Sequence, residues 1–249
     1  MSIWQSAGGA QYIGPMRLKM VRVVESQEEI ATLSLVDSLE EQQVLEQLLE
    51  DTKPGKIAPQ LHYLLTTPFR YPPLSWGSRF GRIYERALFY ASLSIETALT
   101  ESAFYRLLFI DGVTQPFPKP VVSQHTSFCV NALSEHAVDL TRAPYDKHMT
   151  DLRAQNRYDA CQQLGQEMRE AGIELFIYLS ARDRAPNAIN AAAFVPKVFG
   201  KSTPGEFQSW TCFATADAVR YISTPSKESF EFNKSIFTVD GKLPMPPTP

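Results

Sequence analysis

The segment that decides the fold covers residues 61–106 and reads LHYLLTTPFRYPPLSWGSRFGRIYERALFYASLSIETALTESAFYR. The apolar and aromatic run at 86–92 predicts a short buried strand. From Ser94 onward the pattern is helical, because Ser94 can cap the helix and Glu96 suits the positive end of its dipole. The prolines within 70–76 exclude a helix there. An irregular loop, a strand and a helix therefore follow one another.

The same alternation continues further along the chain. Residues 154–171 predict a second helix, rich in Gln, Glu and Arg, that stops at Gly172. The apolar run 173–179 (IELFIYL) predicts a strand, and another strand is expected near 191–196. Short strands between helices indicate a mixed α/β or α+β domain. We expect an α+β fold, in which helices flank a mixed β-sheet.

The two ends of the chain differ from this central part. Residues 26–51 carry apolar side chains at helical spacing with Glu and Gln between them, which predicts an acidic amphipathic helical pair. Such a pair packs against the main domain or forms a partner-docking surface, and we favour packing. The prolines and glycine of 51–59 break the pattern. We therefore predict a helical extension at 1–59, a main domain at 60–230 and a tail at 231–249.

The composition excludes several classes of function. The chain has 249 residues with a net charge of −3, so no basic surface field favours direct nucleic-acid binding. The three cysteines form no CxxC pair, and the four histidines lack metal-ligand spacing, so we expect reduced thiols and no metal site. The N-terminus does not resemble a signal peptide, and the apolar runs are too short to cross a membrane. We expect a cytoplasmic protein.

Three residues in the decisive segment could carry chemistry together. Arg79 lies in a loop of small residues, Tyr90 lies near the end of the predicted strand, and Glu101 lies in the helix. Arginine grips phosphate or carboxylate with two donors, and tyrosine stacks on a heterocycle. Glutamate can stabilise the positive charge that develops at an anomeric carbon. These residue types would suit the cleavage of a glycosidic bond.

Spacing alone leaves ordinary structural interpretations open for all three residues. An arginine beside glycines is often a solvated turn residue, and a tyrosine in an apolar strand is usually part of the core. Glu101 borders the apolar face of its helix, and it could simply pair with a cation such as Arg106.

A series of motifs resembles the RES domain family, whose proteins carry a GxR-type loop, a Y-[AT]-S strand end, a [ST]-x-x-TAL-x-E helix and a strand that ends in SARD. In this chain the four elements occupy, in the same order, residues 77–79, 90–92, 94–101 and 180–183. The sequence AINAAAFVP at 188–196 resembles the next strand of the family. The resemblance spans about residues 61–222, and four ordered elements are more specific than any one of them.

The resemblance implies a fold like that of ADP-ribosyltransferase toxins and an enzyme that consumes NAD⁺ as its substrate, without a further cofactor. By this resemblance Arg79 binds the dinucleotide, Tyr90 stacks on nicotinamide, and Glu101 stabilises the ribosyl cation. Ser180 is expected to hydrogen-bond the ligand. Arg70 is a second basic candidate for the same site, as is Arg82, although both could equally be ordinary surface or ion-paired arginines.

The resemblance also implies a biological setting, with alternatives. The enzyme would be an NAD⁺ glycohydrolase or phosphorylase, the toxin of a toxin–antitoxin pair that a helix-turn-helix (Xre-type) antitoxin blocks, and it could form a homodimer. A mono-ADP-ribosyltransferase and a non-catalytic regulatory protein remain as alternatives. Residues 111–154 look like an insertion relative to compact family members. That insertion could cover the cleft as a lid or pad the edge of the core, and we favour padding.

Overall fold

The computed structural model describes residues 1–26, 38–52, 54–55, 57–115 and 117–245. The helices are α1 (Ile3–Ala7), α2 (Leu39–Thr52), α3 (Tyr63–Arg70), α4 (Ile95–Asp111), α5 (Met149–Leu152) and α6 (Asp159–Glu170). The strands are β1 (Gly14–Glu25), β2 (Phe89–Ser92), β3 (Val121–Asp139), β4 (Leu175–Leu179), β5 (Ile189–Ala193), β6 (Gly205–Ala214), β7 (Ala218–Ser223) and β8 (Glu228–Asn233). Short 3₁₀ helices lie at Gly9–Tyr12, Tyr145–His148, Pro196–Val198 and Lys234–Phe237. The expected α+β fold is confirmed.

The strands of the described residues form one mixed sheet in the order β1-β2-β5-β4-β3-β6-β7-β8, with an additional pairing between β1 and β3. The β3–β4 pairing is parallel and the others are antiparallel. Because β1 pairs with both β2 and β3, the first five strands in this order close into a ring. Strands β6, β7 and β8 continue the sheet outside that ring.

Strand β3 joins these two parts of the sheet. One of its edges pairs with β1 along nearly the whole strand, from Glu25 opposite His125 to Gly14 opposite Ala137. The other edge pairs first with β6, at residues 121–129, and then with β4, at residues 137–139. The prediction that residues 111–154 pad the core edge was therefore wrong, because this segment contains the longest strand of the sheet.

The helical extension predicted at 1–59 also differs from the structure, because it contains a strand. Strand β1 belongs to the central sheet, and it follows a period-two pattern in which Met16, Leu18 and Met20 alternate with basic residues. This period is typical of a strand that buries one face. The helical part of the extension is α1 and α2, and the predicted helix over 26–51 coincides with α2 only at 39–51, since residues 27–37 lie outside the described part.

The boundary predicted for the C-terminal tail differs from the structure as well. Residue 231 lies inside β8, which pairs with β7. Beyond β8, Phe237 and Leu243 are buried in the same cluster as residues of α4. The chain therefore contributes to the core as far as residue 243, and residues 246–249 lie outside the described part.

Helix α4 is fixed in the way its sequence predicts. The Ser94 side chain accepts a hydrogen bond from the backbone N–H of Thr97, and Glu96 lies in the first turn. The buried face of the helix carries Leu99, Phe104 and Leu107, which pack against β6–β8. Trp210 of β6 belongs to the same buried cluster. Trp210 is a core residue, and its indole N–H donates to the Ser127 hydroxyl at 2.9 Å. No helix in the described ranges is long and apolar enough to span a membrane.

Helix α6 packs directly on the loop that carries Arg79. A Cβ atom on Gly165 would lie 2.0 Å from the backbone oxygen of Phe80. Because the obstructing atom belongs to the backbone, no side-chain rotation can relieve the clash. Only glycine permits this approach between the helix and the loop.

We expect the substitution Gly165→Ala to lower the free energy of unfolding by about 3 kcal/mol, the upper end of the usual range for overpacking. Chemical denaturation of the purified protein measures this effect. The control is Gln163→Ala on the exposed side of the same helix, which should change stability by less than about 0.5 kcal/mol. Equal stability of the two variants would contradict the close approach.

His125, on β3, is buried beneath α4. Its Nε2 atom lies 3.0 Å from Arg106 Nη2 and 3.0 Å from Ser123 Oγ. Burial, together with the positive charge of Arg106, lowers the pKa of His125 to about 4 from its ordinary value of 6.5. Between these two values the unfolded chain binds more protons than the folded chain.

The contribution of His125 to stability is therefore complete above pH 6.5 and is lost as the pH falls towards 4. We expect His125→Gln to flatten the dependence of unfolding free energy on pH in this window. Denaturation curves at several pH values test this, and the exposed His136→Gln serves as the control. A variant with the same pH slope as the wild type would count against the prediction.

Candidate active site

A cavity of about 480 Å³ opens between α4, β1, β2 and the loop that begins at residue 74. Its walls combine aromatic rings, three arginines and one carboxylate. They are formed by Val21, Arg22, Val23, Leu74, Trp76, Gly77, Ser78, Arg79, Tyr90, Ala91, Ser92, Ala98, Glu101, Ser102, Tyr105, Tyr158, Tyr178, Arg182 and Asn190. This volume is usual for a small-molecule site, and the aromatic rings of the wall are accompanied by polar and charged side chains that could orient a ligand.

The carboxylate in this wall, Glu101, is held at one oxygen by two donors. Ser180 Oγ donates to Glu101 Oε1 at 2.6 Å, and Asn190 Nδ2 donates to the same atom at 2.6 Å. The Asn190 amide is oriented in turn by Ser92, whose buried hydroxyl donates to Asn190 Oδ1 at 2.7 Å. Among the described residues no donor bonds Glu101 Oε2, so this oxygen remains available to a ligand.

The turn after β4 determines which way the Ser180 proton points. Ser180 Oγ accepts the backbone N–H groups of Arg182, at 3.1 Å, and Asp183, at 2.9 Å. With both acceptor positions occupied, the single hydroxyl proton is directed to Glu101. Ser180 is fully buried. Its side chain therefore bonds Glu101 and does not line the cavity. This arrangement differs from the expectation that Ser180 hydrogen-bonds the ligand directly.

Arg79 lies in the cavity wall, and its guanidinium is held by backbone carbonyl groups. Its Nη1 atom donates to the carbonyl of Ala154 at 2.7 Å and to that of Leu152 at 3.3 Å. The guanidinium also lies 4.8 Å from the centre of the Tyr158 ring. Preceding Gly77 has φ +73°, and a Cβ there would lie 2.4 Å from Gly81 O. The loop geometry that presents Arg79 therefore requires glycine.

Tyr90 also lines the cavity, and its hydroxyl supports the Arg79 loop. The hydroxyl accepts the backbone N–H of Phe80 at 3.0 Å and lies 2.9 Å from Ser78 Oγ. Burial raises the pKa of Tyr90 to about 12, so it remains a neutral phenol at physiological pH. The hydroxyl is therefore committed to the Arg79 loop, while the ring lines the cavity and packs against the neighbouring core cluster.

Arg22 is a cavity residue that the sequence interpretation missed. It lies on β1, donates from Nη1 to the Tyr90 carbonyl at 2.8 Å, and stacks 4.7 Å above the Phe89 ring. Burial lowers its pKa to about 10, which still leaves it protonated at neutral pH. The alternating pattern of residues 14–25 could have identified β1, although nothing local indicates that β1 borders the site.

Arg182 and Asp183, in the turn after β4, make separate contacts and do not pair with each other in the described structure. The Arg182 guanidinium lies 3.5 Å from the centre of the Phe104 ring and donates to the Tyr158 hydroxyl at 3.3 Å. Asp183 accepts from the Thr97 hydroxyl at 2.9 Å, which ties the turn to α4. Burial lowers the pKa of Arg182, and burial raises the pKa of Tyr178 well above its ordinary value.

Arg70, predicted as a further ligand-binding residue, lies outside the cavity wall. Its side chain donates to the carbonyl of Pro54 and lies over the Tyr71 ring. Arg82, the other basic candidate, is also absent from the wall, and its backbone N–H donates to Glu85. The two arginines therefore do not join the group formed by Arg22, Arg79 and Arg182. Within the described ranges, no group of three or more potential metal ligands occurs.

Comparisons with known proteins agree with the motif series. The family model described as the RES domain matches residues 53–215. No curated protein matches the chain. A chain in the crystal structure of the M. tuberculosis MbcT–MbcA toxin–antitoxin complex is similar to it, with 10% sequence identity, a TM-score of 0.48, and coverage of 86% of this chain and 92% of that chain. The family match includes Glu101 and Ser180, whereas Arg22 lies outside it.

The geometry around Tyr90 leads to a stability prediction. We expect Tyr90→Phe to lower the free energy of unfolding by about 1–3 kcal/mol, because the Phe80 N–H loses its acceptor while the ring remains. Chemical denaturation measures the change. The control is Tyr84→Phe, since the Tyr84 side chain is 72% exposed. A Tyr90 variant as stable as this control would contradict the structural role of the hydroxyl.

Proposed function

Because this chain belongs to the RES domain family, we propose that it consumes NAD⁺ by cleaving the bond between nicotinamide and ribose. The observation that carries the proposal is the geometry of Glu101. Its carboxylate is held at Oε1 by Ser180 and Asn190, and it lies in the wall of a cavity that Arg22 and Arg79 also line. One fixed negative charge thus lies in the same cavity as two cationic groups that suit a dinucleotide diphosphate.

Glu101 has the chemical role of stabilising the transition state. As the glycosidic bond breaks, positive charge develops on the anomeric carbon and the ring oxygen of the ribose. A carboxylate that is already oriented stabilises this charge without having to reorganise. Nicotinamide leaves as a neutral molecule, since the bonding electrons cancel the charge of its pyridinium nitrogen.

The other wall residues bind and orient the substrate. Arg22 and Arg79 bind diphosphate oxygens, and their existing backbone bonds keep the two guanidinium groups in place before the substrate arrives. The Tyr90 ring stacks on the nicotinamide, where the cationic heterocycle gains cation–π attraction. Because the Tyr90 hydroxyl already bonds to the Arg79 loop, the position of the ring is coupled to that loop.

The ribosyl cation is captured by an acceptor that approaches Glu101 Oε2. With water, the products are ADP-ribose, nicotinamide and one proton. With inorganic phosphate, they are ADP-ribose 1″-phosphate and nicotinamide. NAD⁺ is the substrate in either case, and we propose no additional cofactor or metal.

The biological role that we propose is that of a cytoplasmic toxin that depletes NAD⁺ until an antitoxin blocks the cavity. The RES resemblance implies an antitoxin of the helix-turn-helix (Xre) type, and any DNA contact would belong to that partner. The large apolar side chains of Leu74 and Tyr105, which are 58% and 50% exposed, lie in the cavity wall. They offer such a partner apolar surface to cover. We also propose that the toxin forms a homodimer.

The test is to incubate the purified chain with NAD⁺, with and without phosphate, and to identify the products by mass spectrometry. We expect nicotinamide together with ADP-ribose or its 1″-phosphate. Glu101→Gln should lower kcat by about 10²-fold or more, because the charge that stabilises the transition state is removed. Glu96→Gln is the matched control on the same helix, since Glu96 is exposed and outside the cavity wall.

Three outcomes would contradict this proposal. Unchanged turnover in a folded Glu101→Gln variant would remove Glu101 from the reaction. Nicotinamide release that requires an added protein, with label from NAD⁺ on that protein, would replace cleavage by mono-ADP-ribosyl transfer. If the wild-type chain binds NAD⁺ but forms no product over hours, a regulatory binding protein would be the better description.

A further inference from the structure

Residues 152–155 connect two separate parts of the candidate site. Their backbone carbonyls, at Leu152 and Ala154, accept the hydrogen bonds of Arg79. Their side chains, at Arg153 and Gln155, point to the turn that contains Ser180. This short segment, which begins at the last residue of α5, therefore touches both the Arg79 loop and the turn that orients Glu101.

Arg153 makes the most extensive of these contacts with the turn. Its Nε atom donates to the carbonyl of Ser180 at 2.9 Å, and its Nη2 atom donates to the carbonyl of Asp183 at 3.0 Å. Gln155 adds a hydrogen bond from Nε2 to the carbonyl of Ala181 at 3.0 Å. The planar guanidinium thus spans the first and last residues of the turn, a geometry that lysine cannot reproduce.

The position of this turn determines the hydrogen bond to Glu101. Ser180 Oγ directs its proton to Glu101 only while the N–H groups of Arg182 and Asp183 occupy its acceptor positions. Both N–H groups belong to the turn that Arg153 spans. A looser turn would release the acceptor positions and allow the Ser180 hydroxyl to rotate away from the carboxylate.

We propose that Arg153 is a positioning residue that acts on Glu101 through Ser180. In the described structure it lies outside the cavity wall, and its hydrogen bonds go to the turn and not to Glu101. The same segment holds Arg79 through its carbonyls, so the anion-binding and charge-stabilising parts of the site share one support. This inference rests on the proposed NAD⁺ cleavage for its kinetic consequence and on geometry alone for its structural consequence.

The chain offers a matched control in Arg157. This residue lies four positions further on, is exposed, and pairs with Asp151 at 2.7 Å. It makes no hydrogen bond to residues 180–183 in the described structure. Arg153→Gln and Arg157→Gln therefore remove the same charge from neighbouring positions, and only the first removes support from the turn.

The first experiment is a double-mutant cycle on NAD⁺ turnover. We expect Arg153→Gln to lower kcat on the order of tenfold, the effect of losing hydrogen bonds to the turn, while KM changes less than about twofold. Arg153→Lys should retain one of the two hydrogen bonds, so its kcat should lie between that of Arg153→Gln and that of the wild type. In a Ser180→Ala background, Arg153→Gln should have almost no further effect, because its route to Glu101 is already removed.

A purely structural role for Arg153 would give a different result. It would lower the amount of folded protein without altering kcat per folded molecule, or its effect would add to that of Ser180→Ala. Either outcome would overturn the proposal, as would an equal loss of kcat in Arg157→Gln. Thermal unfolding of each variant identifies any that fails to fold, and Arg153→Lys then replaces Arg153→Gln in the cycle.

The second experiment does not depend on catalysis. In protein labelled with ¹³C at glutamate, the carboxyl resonance of Glu101, assigned with Glu101→Gln, reports the hydrogen bond from Ser180. We expect Ser180→Ala and Arg153→Gln to move this resonance in the same direction, and Arg157→Gln to leave it in place. An unmoved resonance in Arg153→Gln would overturn the positioning role. If the wild type does not cleave NAD⁺, the proposed function fails, and this resonance still decides whether Arg153 positions Glu101.

Discussion

A carboxylate that is partly removed from water needs hydrogen-bond donors in place of the lost solvent, and this requirement organises the centre of the molecule. Glu101 receives its two donors from Ser180, after β4, and from Asn190, on β5. Helix α4 must therefore lie across the ends of both strands. The same helix packs its buried face on β6–β8, so the position of one charged oxygen and the packing of a large part of the core are fixed together.

The cationic part of the cavity follows a similar principle. Arg22, Arg79 and Arg182 line one cavity, and each already interacts with a carbonyl or an aromatic ring of the protein. These contacts hold three like charges near each other, and Glu101 offsets part of their repulsion. Because folding already orients the guanidinium groups, an anion that binds there would be attracted to them without first having to reorganise them.

Features of the fold and the site that are encoded by neighbouring residues could be predicted from the sequence, whereas features that depend on residues distant in the chain could not. The helix after Ser94 was predicted correctly, because its cap and first turn are encoded within a few residues. The place of Glu101, Tyr90 and Arg79 in one cavity agreed with the ordered motifs, although their catalytic roles remain predictions. Strand β1 was missed because its partner lies far along the chain, and with it Arg22 was missed. The Ser180 geometry could not be predicted, since it depends on two backbone N–H groups of a three-dimensional turn.

The long pairing of β1 with β3 has a consequence for how the protein is made. Glu25 pairs with His125, and Gly14 with Ala137, so β1 must wait for more than 100 further residues before its partner strand leaves the ribosome. Contacts this distant in sequence form late, because a long loop has to close first. Asn190, which completes the support of Glu101, is translated later still. For much of its synthesis, the nascent chain would thus contain Arg22 and Glu101 without an assembled cavity. The complete site would form only after Asn190, late in the chain, has left the ribosome.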